Sequence, residues 1–433
     1  MNSHNYRQET IALHGGQKPD PATGSRAVPL YRTTAYQFRD SSHAARLFNL
    51  EEPGYIYTRL GNPTQEVLEE RLAQLEGGVA AVALASGTAA VFYSIINVAK
   101  AGEEIVATEN LYGGSYTLFT SILPDLGIQV RLVPPNDIQA VKAAIHENTR
   151  AVYTEIIGNP GLDVADIPEL AKTAHAAGLP LMVDSTFATP VLCRPFELGA
   201  DVVIHSLTKW IGGHGTVIGG AVVDGGNFDW SAGRHKRYTE PDESYHGIRW
   251  ALDLGDLNKA AFAVRMRTVA LRNTGAAISP DNAWQFLQGL ETLSLRMERH
   301  GENALAAAQF LNAHPKVDWV RYPGLENDPS KAVADRVLKG GAKGYGGMVV
   351  FGVKGGKEAG RSFIEHLSLF SHVANVGDAK SLAIHPGSTT HSQLNDEQQR
   401  AAGVKPELIR LSIGIENIHD IIADLEHALG EVE

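Results

Sequence analysis

The chain has 433 residues and a single cysteine, Cys193. One thiol excludes any intrachain disulfide and suits a reducing cytoplasm, the expected location. No HExxH or CxxC spacing turns its scattered histidines into a metal site. No run of about 18 apolar residues is present, so no membrane span is expected. The first ten residues lack the basic and apolar regions of a secretion signal. Positive charge is also short. The formal net charge is −11, which argues against non-specific nucleic-acid binding and against docking on anionic lipid. Low-complexity tracts and short repeats are absent.

What is present is ordinary globular composition, 43% apolar and 20% charged, with length for two or three domains. Residues 1–60 are turn-rich and read as an extended arm that needs something else to pack on. GNPTQEVLEERLAQLEGG (61–78) reads as a helix, started at Asn62-Pro63 and stopped by two glycines. From VAAVALAS (79–86) onward, short apolar strands alternate with helices. This pattern predicts an α/β fold with a mainly parallel sheet of about seven strands, covered by helices. Residues 225–280 break the alternation; being polar and aromatic, they are expected to form an excursion over an active site. A long helix from about 281 leads into a smaller α+β region. The expected division is therefore 1–60, 61–280 and 281–433.

In open α/β sheets, ligands bind beyond the carboxyl ends of the strands, so the residues just past each strand matter most. Ser86, Gly87 and Thr88 open a helix and suit an anion, although Ser86 alone would serve equally as an ordinary helix cap. Tyr112, followed by two glycines, can lie against a flat ring or simply pack in a loop. Glu155 and Asn159 offer hydrogen bonds. Asp184 ends a very apolar strand, where a carboxylate is costly unless it meets a cation. Ser206, Thr208 and Lys209 follow the sixth strand. A phosphate cradle, a flat aromatic, a buried acid and a lysine match the needs of pyridoxal 5′-phosphate: donors for its phosphate, a face for its ring, an acid for its ring nitrogen and an amine for its aldehyde. A structural lysine that reaches to solvent is the alternative for Lys209.

HSLTKWIGGHG, VDSTFATP, SGTAA, LYGGSYTLF and YIYTRLGNPT together resemble the Cys/Met-metabolism family of pyridoxal-phosphate enzymes, over essentially the whole chain. The resemblance implies the aminotransferase-like type I fold, with a seven-stranded, mainly parallel sheet plus a smaller α+β carboxy-terminal domain. It also implies a homotetramer of dimers with shared active sites. By the same resemblance, Lys209 holds the cofactor, Asp184 meets its ring nitrogen and Tyr112 stacks on the ring. Ser86, Gly87, Thr88, Ser206 and Thr208 hold the phosphate. Tyr57 and Arg59 reach that phosphate from the neighbouring subunit; read from the residues alone, they could equally be a surface pair. Arg410 in RLSIGIE binds the substrate α-carboxylate, with a surface arginine as the alternative. Ser381 helps through its backbone, and Asn159 and Asn375 join the substrate site.

Within the family, IGNPGLDVADI and NVGDAKSLAIHPGSTTH resemble the O-acetylhomoserine sulfhydrylase branch. Methionine γ-lyases of the family typically carry a cysteine where this chain has Gly114, and many relatives have a small residue where it has Leu207. The implied reaction is γ-replacement: O-acetylhomoserine and sulfide give homocysteine and acetate, with Lys209 carrying protons and Tyr112 assisting. O-succinylhomoserine sulfhydrylase, cystathionine γ-synthase, methionine γ-lyase and a non-catalytic scaffold remain as alternatives. His205, His214 and His385 are read as structural. GRHKR (233–237) is read as a solvated basic face, or as an entrance for an anionic substrate.

Overall fold

A computed structural model describes residues 6–389 and 405–432. The start of the amino-terminal stretch read for a secretion signal, and the last two residues of NVGDAKSLAIHPGSTTH, lie outside the described residues.

Seven strands form the large sheet: β1 Ala80–Leu84, β2 Glu104–Thr108, β3 Gln129–Val133, β4 Thr149–Glu155, β5 Leu181–Asp184, β6 Val202–Ser206 and β7 Gly220–Asp224. Their order is β1-β7-β6-β5-β4-β2-β3. The pairs β2–β3, β2–β4, β4–β5 and β5–β6 are parallel, and β7 runs antiparallel to both β1 and β6. Strand alternation explains why both faces are apolar. In β6, Val203 belongs to one core, while Val202 and Ile204 belong to the other. One face is covered by helices Pro63–Glu76 and Ile167–Ala176, through Leu68, Leu72, Ile167 and Leu170. The other is covered by helix Gly87–Val98, through Val91 and Ile95.

The helix expected at 61–78 spans Pro63–Glu76. The Asn62 side chain accepts from Thr64 N, and Gly77 ends the helix in the left-handed region. The arm departs from expectation. Its helix Gln8–His14 packs on its own chain: Ala12 is buried, and Gln8 Nε2 donates to Pro190 O at 2.7 Å. A second short helix, Ser41–Phe48, was also hidden by the turn-rich composition.

The 225–280 segment forms no cover over the cavity at the carboxyl ends of β4, β5 and β6. Its aromatic residues turn inward. Trp230 stacks on Tyr238 at 4.5 Å and on Phe262 at 5.2 Å, and all three are buried against the sheet with Trp250 and Met266. Burial of large aromatic area outweighs the polarity of the residues between them. The segment ends in a contiguous helical run, Ala261–Thr274, with a π turn at Met266–Leu271.

The single long helix expected from 281 is two helices, Pro280–Glu291 and Leu293–Ala313. They break at Thr292, whose backbone leaves the helical region. A second sheet follows, made of β8 Val317–Arg321, β9 Met348–Val353, β10 Ser371–His372, β11 Leu382–Ile384 and β12 Leu408–Ser412, in the order β10-β11-β12-β9-β8. Among the described residues, no helix is long and apolar enough to cross a membrane.

The aromatic stack carries a stability prediction. Trp230→Ala is expected to cost about 3–5 kcal/mol, the usual penalty for emptying a large buried aromatic site. A denaturant melt followed by circular dichroism checks it; an unchanged midpoint would show that the segment is not part of the core.

Candidate active site

The carboxyl ends of β4, β5 and β6 open onto one cavity of about 260 Å³. Its floor is acidic. Glu155 and Asp184 end adjacent parallel strands and lie opposite each other in register. Glu155 Oε1 accepts from Tyr112 N at 2.7 Å, and Asp184 Oδ1 accepts from Thr186 N at 2.9 Å. Burial pushes both carboxyls up; the neighbouring Asp184 charge pushes Glu155 up further, while Thr186 hydrogen bonds oppose the rise in Asp184. Among the described residues, neither has a lysine, arginine or histidine within ion-pair distance. A cationic ring nitrogen placed here would meet the need of this pair.

On one side, Ser86 caps the helix Gly87–Val98, its hydroxyl accepting from Ala89 N at 3.1 Å. This leaves a helix amino end facing the cavity through Ser86, Gly87 and Thr88. Gly87 is required by close approach: a Cβ there would lie 2.6 Å from Ser206 Cβ. Ser206 and Thr208 line the same corner. Ser206 N donates to Thr186 Oγ1 at 2.8 Å, and Thr208 is tied to Gly219 by contacts of 3.1 and 3.2 Å. A dianion fits this set of donors. The Tyr112 ring, half exposed, provides a flat face at the mouth.

Lys209 enters from the loop after β6. Its Nζ donates to Asn375 Oδ1 at 2.6 Å. Burial, and then the positive charge of Arg410, pushes the amine down to about 8. Arg410 stands on β12 of the second sheet and donates through Nη1 to Asn159 Oδ1 at 3.2 Å. Burial pushes it down to about 10, so it stays cationic at neutral pH. Among the described residues, no carboxylate lies within ion-pair distance of Arg410.

The two sheets meet at this lysine. Gly377 has φ +78°, and a Cβ there would lie 2.6 Å from Trp210 N. Gly377 N also donates to Ser412 Oγ at 2.9 Å, and Ala379 N to Gly213 O at 2.8 Å, stitching the Asn375 segment to the lysine loop.

Of the residues singled out in sequence, the cavity brings together Ser86, Gly87, Thr88, Tyr112, Asn159, Asp184, Ser206, Thr208, Lys209, Asn375 and Arg410, and Glu155 with them. Ser381 is elsewhere. It is fully buried, its N–H donates to Glu416 Oε1 at 2.6 Å and its hydroxyl to Glu416 Oε2 at 2.9 Å, so neither donor is left for a substrate. Tyr57 and Arg59 lie on the exposed arm, with the guanidinium 5.0 Å from the tyrosine ring centroid, and do not reach their own chain's cavity.

The histidines hold structure. His205 pairs with Glu76 at 2.6 Å in the core, His214 Nδ1 donates to Gly212 O, and His385 Nε2 donates to Pro406 O. Leu207 is buried behind the lysine.

Sequence reasoning missed Thr186, which lines the cavity, and Arg296, which does not. Arg296 is buried and donates to the carbonyls of Trp210 at 2.6 Å, Ile211 at 3.2 Å and Gly289 at 2.6 Å, fixing the turn after Lys209. The one available signal was an arginine next to Met297 on the buried stripe of its helix.

Comparison with known proteins agrees with this geometry. Residues 9–430 match the Cys/Met metabolism PLP-dependent enzyme family, and the chain belongs to that family. It is 54% identical to an O-acetyl-L-homoserine sulfhydrylase of Leptospira meyeri, over 99% of this chain and 98% of that one. It is 53% identical to a homocysteine synthase of Schizosaccharomyces pombe, over 97% of each. A crystal structure of a putative O-acetylhomoserine (thiol)-lyase from Campylobacter jejuni, containing N′-pyridoxyl-lysine-5′-monophosphate, superposes with a TM-score of 0.93 at 40% identity, covering 98% of this chain and 100% of that one. The seven-stranded sheet with its flanking helices is thus the type I fold of pyridoxal-phosphate enzymes.

The lowered lysine predicts a pH dependence. In cofactor-free protein the Lys209 amine becomes free as pH rises through about 8. Its acylation rate, followed by peptide mass spectrometry, should rise with a midpoint there. A midpoint near the ordinary lysine value would show that burial and Arg410 do not act on it.

Proposed function

We propose that this family member catalyses γ-replacement on O-acetylhomoserine, with sulfide entering and acetate leaving, to give homocysteine. The observation that carries the reading is Arg410: a cation with no carboxylate partner among the described residues, close enough to lower the Lys209 amine, in the same cavity. That pairing suits an α-amino acid whose carboxylate meets the guanidinium fork and whose amino group arrives where Lys209 Nζ stands. The names of the relatives supply the choice of ester and nucleophile.

When bound, pyridoxal phosphate supplies an aldehyde that captures amines and a ring that withdraws electrons from the substrate Cα. In this proposal, Asp184 holds the ring nitrogen in its protonated form. Ser86, Gly87, Thr88, Ser206 and Thr208 hold the phosphate, and Tyr112 covers the ring. Lys209 Nζ, released by the incoming amino group, takes the Cα proton and serves the Cβ proton from the same position. Loss of the Cβ proton accompanies departure of acetate from Cγ. Asn375 orients the lysine between turns of this cycle, and Asn159 orients Arg410.

The exposure of Tyr57 and Arg59 on the arm supports a shared site, in which they reach the phosphate of a neighbouring subunit in a homotetramer of dimers. The division into arm, cofactor-binding domain and carboxy-terminal domain belongs to the same proposal. So does a cytoplasmic location, with which the single buried thiol is compatible.

Homocysteine formation from sulfide, measured with the acetyl and succinyl esters side by side, tests the reaction. The acetyl ester is expected to be preferred. Cleavage of methionine to a keto acid and a thiol, with neither ester reacting, would replace this reading with that of a γ-lyase. Lys209→Ala should reduce turnover by roughly 100- to 10,000-fold.

Mixing Lys209→Ala chains with Arg59→Ala chains after dissociation tests the shared site. Mixed assemblies that regain activity would support it. No recovery in correctly reassembled protein would mean that each chain builds its site alone.

A further inference from the structure

The basic run at 233–237 does not open onto the catalytic cavity, and only part of it, Lys236 above all, is a solvated face. It lines a second cleft, of about 240 Å³. This cleft lies at the amino ends of the strands, beside Arg150 near the start of β4 and Glu103 just before β2. The catalytic cavity lies at the other, carboxyl ends.

Six lysine and arginine side chains line the cleft against four carboxylates. Some of these charges cancel: Arg150 pairs with Glu103 at 2.8 Å, and Arg265 lies 3.7 Å from Asp242. Arg234 and Arg237 differ. Each donates to backbone carbonyls, Arg234 Nη1 to His146 O and Arg237 Nη1 to Ile96 O, both at 2.8 Å. Among the described residues, neither has a carboxylate within ion-pair distance. The other donors of both forks are therefore free to bind an oxyanion.

Two buried side chains in the same lining also carry nitrogens with no hydrogen-bond partner among the described residues. Both ring nitrogens of His235 are unpaired although the residue is 2% exposed, and Arg265 Nε is unpaired at 6% exposure. His235 is held edge-on by Phe228 and Trp230, with ring centroids 5.4 and 5.1 Å away. Burial, with the nearby charges of Arg150 and Arg234, pushes it down to about 3, so the ring is neutral and carries one N–H donor. Buried polar atoms are nearly always hydrogen-bonded in folded proteins. Unpaired donors beside two unneutralised guanidinium forks mark a place built for acceptor oxygens.

We propose that this cleft is a binding site for a single tetrahedral oxyanion group, phosphate or sulfate, distinct from the catalytic cavity. The planar forks of Arg234 and Arg237 match oxyanion edges, and the N–H groups of His235 and Arg265 Nε add neutral and charged donors. The four carboxylates in the lining limit the ligand to a small group and repel an extended polyanion such as nucleic acid.

The test uses the holoenzyme, so that the cofactor occupies its own phosphate corner, and it does not depend on which reaction the enzyme catalyses. Inorganic phosphate, inorganic sulfate and glycerol phosphate are titrated calorimetrically, with chloride at matched ionic strength as control. Saturable binding of at least one probe, one per chain, is expected. It should weaken at least tenfold in Arg234→Gln/Arg237→Gln, with the cofactor absorption band unchanged as the check on folding. The tightest of the three identifies the source of the oxyanion. Arg237→Lys, which keeps the charge and loses the fork, should also weaken binding. Binding no stronger than chloride, or equal in wild type and the glutamine variant, would overturn the proposal and leave the cleft to solvent.

Discussion

An acid buried with no cation beside it is costly to ionise, and this protein holds two such acids side by side among the described residues. Glu155 and Asp184 end neighbouring parallel strands, in register, inside the cavity. Parallel pairing makes the proximity unavoidable: once β4 and β5 align, their last residues share one edge of the sheet. The chain offsets part of the cost with the N–H groups of Tyr112 and Thr186. Those same bonds place Tyr112 at the cavity mouth and the threonine that in turn supports Ser206. A positive ring nitrogen placed in the cavity would relieve the remaining cost, which ties the fold of these strand ends to the site.

The opposite charges are arranged with equal economy. Lys209 comes from the large sheet and Arg410 from the small one, and among the described residues neither meets a carboxylate. Their mutual repulsion and burial keep the lysine near the point where its amine is free. Holding two cations this close requires a rigid frame. Gly377 supplies part of it by letting the Asn375 segment press against the backbone of the lysine loop. Arg296 supplies another part by binding three carbonyls, two of them in the turn after Lys209. The site is therefore a joint between two sheets, and its geometry depends on residues that touch no ligand.

The 225–280 segment shows how a polar-looking insertion can be structural. Its aromatic residues seal the face of the sheet, while its charged residues between Arg234 and Glu243 line a cleft at the amino ends of the strands, away from the catalytic cavity. One insertion thereby builds a core and a second, cationic cleft. Its composition alone allowed a lid, because polarity and aromatic content do not specify which side chains face inward.

Strand alternation and the residues that follow each strand were legible in the sequence, since a period of two and the position of ligand sites in α/β sheets are local rules. These rules located Ser86, Tyr112, Asp184 and Lys209, and the matching family motifs added Arg410. Contacts made across the fold were not legible. Nothing local told that Ser381 would spend its donors on Glu416, that Arg296 would fasten the lysine loop, that the helix after 280 would break at Thr292, or that His235 would be buried among arginines. The sequence by itself determined the kinds of chemistry present and the order in which they occur, because those depend on residue type and near neighbours. Tertiary structure alone decided which donors remain free, because a hydrogen bond is committed only when distant segments meet.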